Sequence, residues 1–329
     1  MVNTKIKMKQ LIVFCSVTLQ LLVLSSVVFS QRLSVTGSLG ASNYRGDLAT
    51  NCTPPFGVAF GLGATYDVDT RWRLRINFNN LNVQGNDALS PAVGVPDRAL
   101  NFKTNISEFA LLGEYDLLDY EYNRIIPYIF GGAAVYHFDP HPLNPISKYG
   151  DVALHSLGTE GQLISGLPGV KGNYSDNVYN LTQLNVQLGA GVRYEINDDI
   201  SLGLEVNLRK LFTDYLDDVS GPHYVTPSDW KAAKDYYSNT SSKGYNLAMY
   251  QKTVEAEAYA FRGVIGLAKF SEANANSFPR GNPNKNDAFY SVQLRLNIRI
   301  NSIGGPDFTL FSTEHTNGRM QLKCAGNVY

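Results

Sequence analysis

Cysteine is nearly absent from this chain: three residues in 329, at positions 15, 52 and 324. That excludes a disulfide-built scaffold, which needs a dense set of paired cysteines. Long apolar runs are missing too, apart from one between Leu11 and Phe29. Nothing else approaches 18 consecutive apolar residues, so no further transmembrane helix is expected. No GxSxG, HExxH or Walker loop occurs, and Gly61-Leu62-Gly63 is followed by Tyr66 where a dinucleotide fingerprint requires glycine. An excess of positive charge is also lacking. Without the first 30 residues the chain holds 25 basic and 29 acidic side chains, which gives no electrostatic case for nucleic-acid binding.

The one apolar run reads as an export signal. Lys5, Lys7 and Lys9 precede it and small residues close it, which predicts a signal peptide over 1–30 with Val28 at −3 and Gln31 as the mature start. Phe14 before Cys15 is too bulky for a lipoprotein signal.

What the chain does have is alternation. In RWRLRINFN (71–79), Arg71, Arg73, Arg75 and Asn77 alternate with Trp72, Leu74, Ile76 and Phe78. As a strand, this puts all the arginines on one face and a greasy wall on the other. The same period recurs at 32–41, 56–67, 184–196, 200–209 and 290–300, where glycine, Arg, Glu and Asn alternate with Leu, Val, Ile and aromatic residues. Two weaker segments lie between: 102–117, whose alternation slips near Ser107 as at a bulge, and 127–138, apolar on both faces.

Eight strands of about ten residues fit a tilted bilayer crossing. Short connections (Asp69-Thr70, 118–125, Asn197-Asp198) interleave with long ones at 43–54, 80–101, 139–183 and 213–287. This parity predicts an all-β fold: an eight-stranded antiparallel up-and-down transmembrane β-barrel over 31–301, with long extracellular loops, both termini periplasmic and outer-membrane lipid around it. Residues 302–329 form a tail, in which Asn317-Gly318 between FTLFST and RMQLKC signals a hairpin.

A soluble β-sandwich also alternates, but its polar face has no need of glycines beside Arg and Glu. Three arginines facing lipid would cost roughly 6–12 kcal/mol, at about 2–4 each. That is most of a folding free energy of about 5–15 kcal/mol. They are therefore expected inside, in a lumen network of Arg71, Arg73, Arg75, Glu108, Glu114, Arg193, Glu195, Glu205, Arg209, Arg295 and Arg299, because buried charges need partners. Glycines opposite are expected to leave room for the long side chains.

Other chemistry is sparse. His137 and His141 flank Asp139 in HFDPH, a spacing able to hold a metal, although two prolines and a strand end favour a plain loop. Asp214, Asp217 and Asp218 lack the spacing of a calcium loop, and a loop bonded to its own backbone is expected there. His155, Ser156 and Glu160 share a loop, with nothing to fix their geometry as an enzyme's. Pro227-Ser228-Asp229 opens a short helix over 230–237 capped by Ser228 or Asp229, and 254–270 is apolar enough to lid the barrel or meet a partner.

Several stretches, SNYRGDL (42–48), LNFKTNISE (100–108), PYIFGGAAVYHFDP (127–140), LGTEGQ (157–162), RKLFTDYLDDVS (209–220) and RGNPNKND (280–287), together resemble the PorG-like outer-membrane barrels of Bacteroidota. The most specific stretch carries Thr213, Asp214, Tyr215, Asp217 and Asp218. The chain departs from that pattern in a long insertion through 229–279, in the Ala288-Phe289 spacing after Asn286-Asp287, and in its tail. The resemblance implies an eight-stranded barrel that anchors a periplasmic ring of the type IX secretion machinery. The expectation is a non-enzymatic structural barrel with a periplasmic protein partner, no cofactor, no metal and no small-molecule substrate. A small passive pore and a lipid-modifying enzyme are the alternatives.

Overall fold

The computed structural model describes residues 33–48, 56–89, 100–119, 123–176, 178–262 and 280–300. The signal peptide, Cys52, Cys324 and the tail with its hairpin lie outside them, as do residues 263–270 of the apolar stretch. Eight strands form one closed antiparallel barrel: β1 (Leu33–Arg45), β2 (Gly57–Asp67), β3 (Trp72–Asn86), β4 (Asn101–Asp116), β5 (Ile125–His141), β6 (Thr182–Glu195), β7 (Ile200–Leu211) and β8 (Ala288–Arg299). Each strand pairs with its sequence neighbour, and β1 closes on β8 from Ser34↔Arg299 to Arg45↔Ala288. Closure leaves no edge with unpaired backbone groups, the condition for crossing lipid with strands. No helix among the described residues is long and apolar enough to cross.

Side-chain alternation sorts the wall. Leu39, Val58, Leu62, Leu74, Ile76, Leu111, Leu188 and Leu204 face outward and are exposed, while Thr36, Thr65, Arg75, Glu114 and Asn207 face inward and are buried. The short connections gather at one end, which we term the turn end, and the long ones at the other, the loop end. At the turn end the Asp69 carboxylate accepts the Arg71 and Trp72 amides at 2.7 Å, and the Asn197 side chain accepts those of Asp199 and Ile200. Both are side-chain turns that let a strand reverse within a few residues.

Two sequence expectations about the strands need correction. β4 has no bulge at Ser107: its register with β3 runs unbroken from Arg73↔Glu114 to Asn86↔Asn101. The apparent slip is an inversion of polarity. Below it, Phe78, Phe109 and Val135 face outward; beyond it the outward residues are Asn82, Asn105, Ser107, His137 and Asp139, and Ile106, Tyr136 and Phe138 face inward. The wall there has left the lipid, and its inside has become an apolar core. For the same reason the strands outlast the expected loop boundaries, β3 reaching Asn86 and β5 reaching His141.

That core closes the loop end. Leu81, Val83, Phe102, Tyr136, Phe138, Leu211 and Phe289 from the wall pack with Leu154, Ile164, Leu216, Val219 and Trp230 from the loops. Above them sit α1 (Leu154–Leu157), α2 (Pro227–Ser238) and α3 (Leu247–Ala260). In α2 the buried Trp230, Ala233 and Tyr237 recur at helical spacing, and in α3 Thr253, Ala256 and Tyr259 or Ala260 do the same. The α2 cap is neither Ser228 nor Asp229 but Thr226, whose hydroxyl accepts the Asp229 amide at 3.2 Å with Pro227 at the first helical position. Asp229 is needed elsewhere: its carboxylate accepts the Lys171 and Gly172 amides and the Tyr174 hydroxyl. The described part of 254–270 thus seals the barrel mouth.

Candidate functional site

The lumen of the turn-end half is a single charge network. Arg73 and Arg75 on β3 lie beside Glu114 and Asp116 on β4, Arg193 and Glu195 on β6, Glu205 on β7 and Arg295 on β8. Glu114 is the hub. It accepts Arg193 Nη1 at 2.8 Å, Arg75 Nη1 at 2.9 Å and Arg295 Nη1 at 3.1 Å, with Arg73 Nη1 at 3.9 Å. Glu205 pairs with Arg75 at 3.1 Å and accepts the Tyr128 hydroxyl at the same distance. Arg193 also donates to Asp116 at 2.6 Å and to Glu195 at 2.7 Å, and Arg73 approaches Asp67 at 3.1 Å. Arg73, Arg75, Arg193, Arg295 and Arg299 thus meet Asp67, Glu114, Asp116, Glu195 and Glu205, five charges against five. Such matching is what makes buried ions tolerable.

Nearer the loop end a second layer pairs Arg209 with Glu108 at 3.1 Å, the carboxylate also accepting Asn79 and Asn185. The arginines lie over aromatic rings as well: Arg75 over Phe130 at 4.7 Å and Arg209 over Phe289 at 5.1 Å. Gly189 and Gly191 make room not for arginines but for rings. A Cβ on either would fall within 2.5 Å of the Phe130 or Tyr128 ring. A cavity of about 10 Å³ among Ser34, Arg73, Glu195 and Arg299 at the turn-end mouth is room for about one water.

Ten of the eleven lumen residues anticipated from sequence face inward, Glu195 and Arg299 at the rim. Arg71 does not. It is exposed at the turn before β3, with its guanidinium 3.5 Å from the Tyr115 hydroxyl. The alternation continues through Arg71, but the wall starts one residue later, so Arg71 lies in water. Asp67 and Asp116 were missed, although each stands at an inward position of its strand.

The second cluster is the loop-end cap, built on the motif at 213–218. Thr213 accepts the Asp287 amide through its carbonyl, and Tyr215 stacks on Tyr179 at 4.4 Å. Asp217 accepts the Tyr44 hydroxyl at 2.6 Å and the Val219 amide at 2.9 Å. Asp218, in the left-handed region at φ 66°, accepts Thr159 Oγ1 at 2.6 Å, Tyr179 at 2.9 Å and Arg262 at 3.4 Å. Arg280 holds Glu160, whose carboxylate also accepts the Ser220 and Gly221 amides. The loop therefore bonds its own backbone, as expected, and in addition ties β1, the β5–β6 loop and the approach to β8 together. Burial, then the nearby Asp47 carboxylate, pushes Asp214 up to about 7.

The remaining candidates do not converge. HFDPH is no loop but the end of β5, with His137, Asp139 and His141 all outward; His141 pairs with Asp151 and Asp139, and His137 contacts Thr182. Among the described residues no group of three or more His, Cys, Asp or Glu is arranged to hold a metal. His155 contacts the Tyr179 carbonyl and Ser156 donates to that of Ala153, while Glu160 serves Arg280, so these three make no nucleophile–base pair. A cleft of about 500 Å³ opens in the cap between Tyr174, Tyr215, Tyr224, Lys171 and Asp229.

The closed wall, lipid-facing belt and filled lumen define an outer-membrane β-barrel protein. The chain belongs to the outer membrane protein beta-barrel domain family, whose model matches residues 16–247. Solved structures to which it is similar include Neisserial surface protein A (7% identity over 81% of this chain and 96% of that one, TM-score 0.37). They also include Ail of Yersinia pestis with the heparin analogue sucrose octasulfate (7%, 81% and 97%, 0.36) and OprG of Pseudomonas aeruginosa (11%, 82% and 93%, 0.32). No curated protein matches in sequence.

Proposed function

We propose that this outer-membrane barrel is a non-enzymatic structural protein, an anchor that fixes a periplasmic assembly to the membrane rather than a conduit through it. The observation that carries the reading is the filled lumen: matched charges occupy the turn-end half and a continuous apolar core occupies the loop-end half. A narrow barrel packed in this way has no use for solute. The turn end and both chain termini then face the periplasm, and the cap faces the exterior. The sequence resemblance points to type IX secretion as the process served and to a component of its periplasmic ring as the partner.

Affinity purification with crosslinking from native membranes should recover a periplasmic partner, and deleting the gene should impair secretion of the cargo. Intact secretion in the deletion strain would end the anchoring role. Steady ohmic conductance of the purified barrel in planar bilayers would instead favour a pore. For orientation, an impermeant maleimide on intact cells should spare Cys324; labelling there would invert the assignment.

A further inference from the structure

Tyr44, Asp217 and Asp287 form an unusual triple in the cap. All three are fully buried. The Tyr44 hydroxyl lies 2.6 Å from Asp217 Oδ2 and 2.7 Å from Asp287 Oδ1. A phenol has one hydrogen to give, so it can donate to only one of these oxygens. The other contact is oxygen to oxygen at hydrogen-bond distance, and it needs a second proton, which only the carboxyl group can carry. The far oxygens are already occupied: Asp217 Oδ1 accepts the Val219 amide and Asp287 Oδ2 the Leu216 amide, each at 2.9 Å. A Cβ on Gly46 would fall 1.9 Å from the Tyr44 hydroxyl and 2.0 Å from Asp287 Oδ1. The backbone therefore closes directly on the pair and excludes even a methyl group.

We propose that one carboxyl proton, held between Asp217 and Asp287 in addition to the hydrogen of the Tyr44 phenol, latches the cap shut, so that the cap loosens as the surrounding solution turns alkaline. The triple joins β1 to both ends of the β7–β8 loop, which also carries α2 and α3, so its loss frees the largest part of the cap. The carboxylates around the pair act in the same direction. Asp47, just after β1, and Asp214 face both carboxyls, and Glu160 and Lys285 face Asp214. Tyr136 approaches Asp287 from β5. Arg262, after α3, is the cation on this side, but it donates to the Asp217 carbonyl at 2.9 Å and pairs with Asp218.

Burial first, then the neighbouring carboxylates, raise Asp217 and Asp287 well above the usual range. The folded cap therefore keeps protons that the unfolded loop, with ordinary aspartates near pH 4, has lost. Stability from the pair is full below that pH and drains away as the pH rises through the folded values; Asp214, raised to about 7, adds in the same direction.

Trp230, buried in the cap, and Trp72, facing the lipid, are the two tryptophans of the chain. In a Trp72→Phe background, acrylamide quenching of Trp230 therefore reports cap opening. With refolded full-length barrel in detergent and a chelator present, quenching should increase between pH 5 and 10, the opening equilibrium shifting by up to about tenfold per pH unit for one proton. The heat-modifiable gel shift of the barrel should persist throughout. Asp287→Asn, whose amide supplies the hydrogen permanently, should flatten the profile above about pH 7, where Asp214 no longer contributes. Flat quenching in the parent protein would overturn the latch, and so would an Asp287→Asn profile like the parent's. Reversal of the alkaline rise by millimolar calcium chloride would also overturn it, because a cation rather than a proton would then sit between the carboxylates. Should Asp287→Asn fail to fold, Asp217→Asn makes the same comparison.

Discussion

Glu114 on β4 accepts Arg193 of β6 at 2.8 Å across the lumen, although β5 separates their strands in the wall. Because the same carboxylate also holds Arg75 and Arg295, one side chain braces four strands from within. Replacing Glu114 with Ala takes the shared carboxylate from three buried guanidiniums at once, leaving Arg75 and Arg295 only Glu205. The expected loss is about 3–5 kcal/mol, the cost of breaking a buried pair. Glu195→Ala at the rim should cost about 1 kcal/mol or less, because Arg193 keeps Glu114 and Asp116 and water reaches the site. Urea unfolding midpoints in detergent, followed by the gel shift, measure both. Equal midpoints for the two variants would remove the hub.

Arg71 and Arg75 test the two environments within one strand pattern. Arg71→Leu changes an exposed turn and should stay within about 0.5 kcal/mol of the parent. Arg75→Leu, by contrast, leaves Glu114 and Glu205 short of a cation and should cost about 3–5 kcal/mol. Leu74→Arg, between them but outward, should cost about 2–4 kcal/mol if it lies near the lipid midplane. A destabilising Arg71→Leu with a neutral Arg75→Leu would reverse the placement.

The barrel was legible because its physics is local: a period of two, plain in six strands and weaker in the other two, fixes which side each residue takes. Arg75, Glu114, Arg193 and Glu205 could be assigned to the lumen from that period alone. The period says nothing about where a wall begins, and that is how Arg71 was misplaced. Nor does it say where lipid ends, so the inversion on the loop-end side of Phe109 looked like a bulge at Ser107. The cap was illegible for a different reason. Tyr44, Asp217 and Asp287 are separated by up to 243 residues and meet only because the barrel brings β1 beside β8. No spacing in the sequence records that closure.

The glycines of β6 give a third expectation. Gly191→Ala would place a Cβ 2.5 Å from the Tyr128 ring and 2.8 Å from the Leu204 carbonyl. Tyr128, whose hydroxyl donates to Glu205, must then shift. An overpacked core site of this kind costs typically about 1–3 kcal/mol. Gly37→Ala, with nothing within 4 Å of its added Cβ, is the control and should be near neutral. Paired refolding yields and urea midpoints decide the point; a Gly191→Ala barrel as stable as Gly37→Ala would mean that the rings do not need the glycine.

The cap should also weaken in acid, through Asp229. Burial alone would raise this carboxyl, but the Lys171 amide, the Tyr174 hydroxyl and the Gly172 amide outweigh it and hold the group below its usual value. A depressed folded value means that the stabilisation is present above the unfolded value, about 4, and is lost as the pH falls through the folded one. This is opposite in sign to Asp214, whose contribution drains as the pH rises from about 4 towards 7, so cap closure should be greatest near pH 4 and weaken on either side. Asp229→Asn keeps the shape of the side chain but replaces one acceptor oxygen by a donor facing the Gly172 amide and the Tyr174 hydroxyl. Trp230, one residue along α2, should therefore become more accessible to acrylamide at pH 6, with the barrel still folded. As the pH falls through the folded value of Asp229, parent and variant should converge, because the parent carboxylate is then protonated too. If Asp229→Asn matches the parent at pH 6, the three donors around Asp229 do not hold the β5–β6 loop against α2.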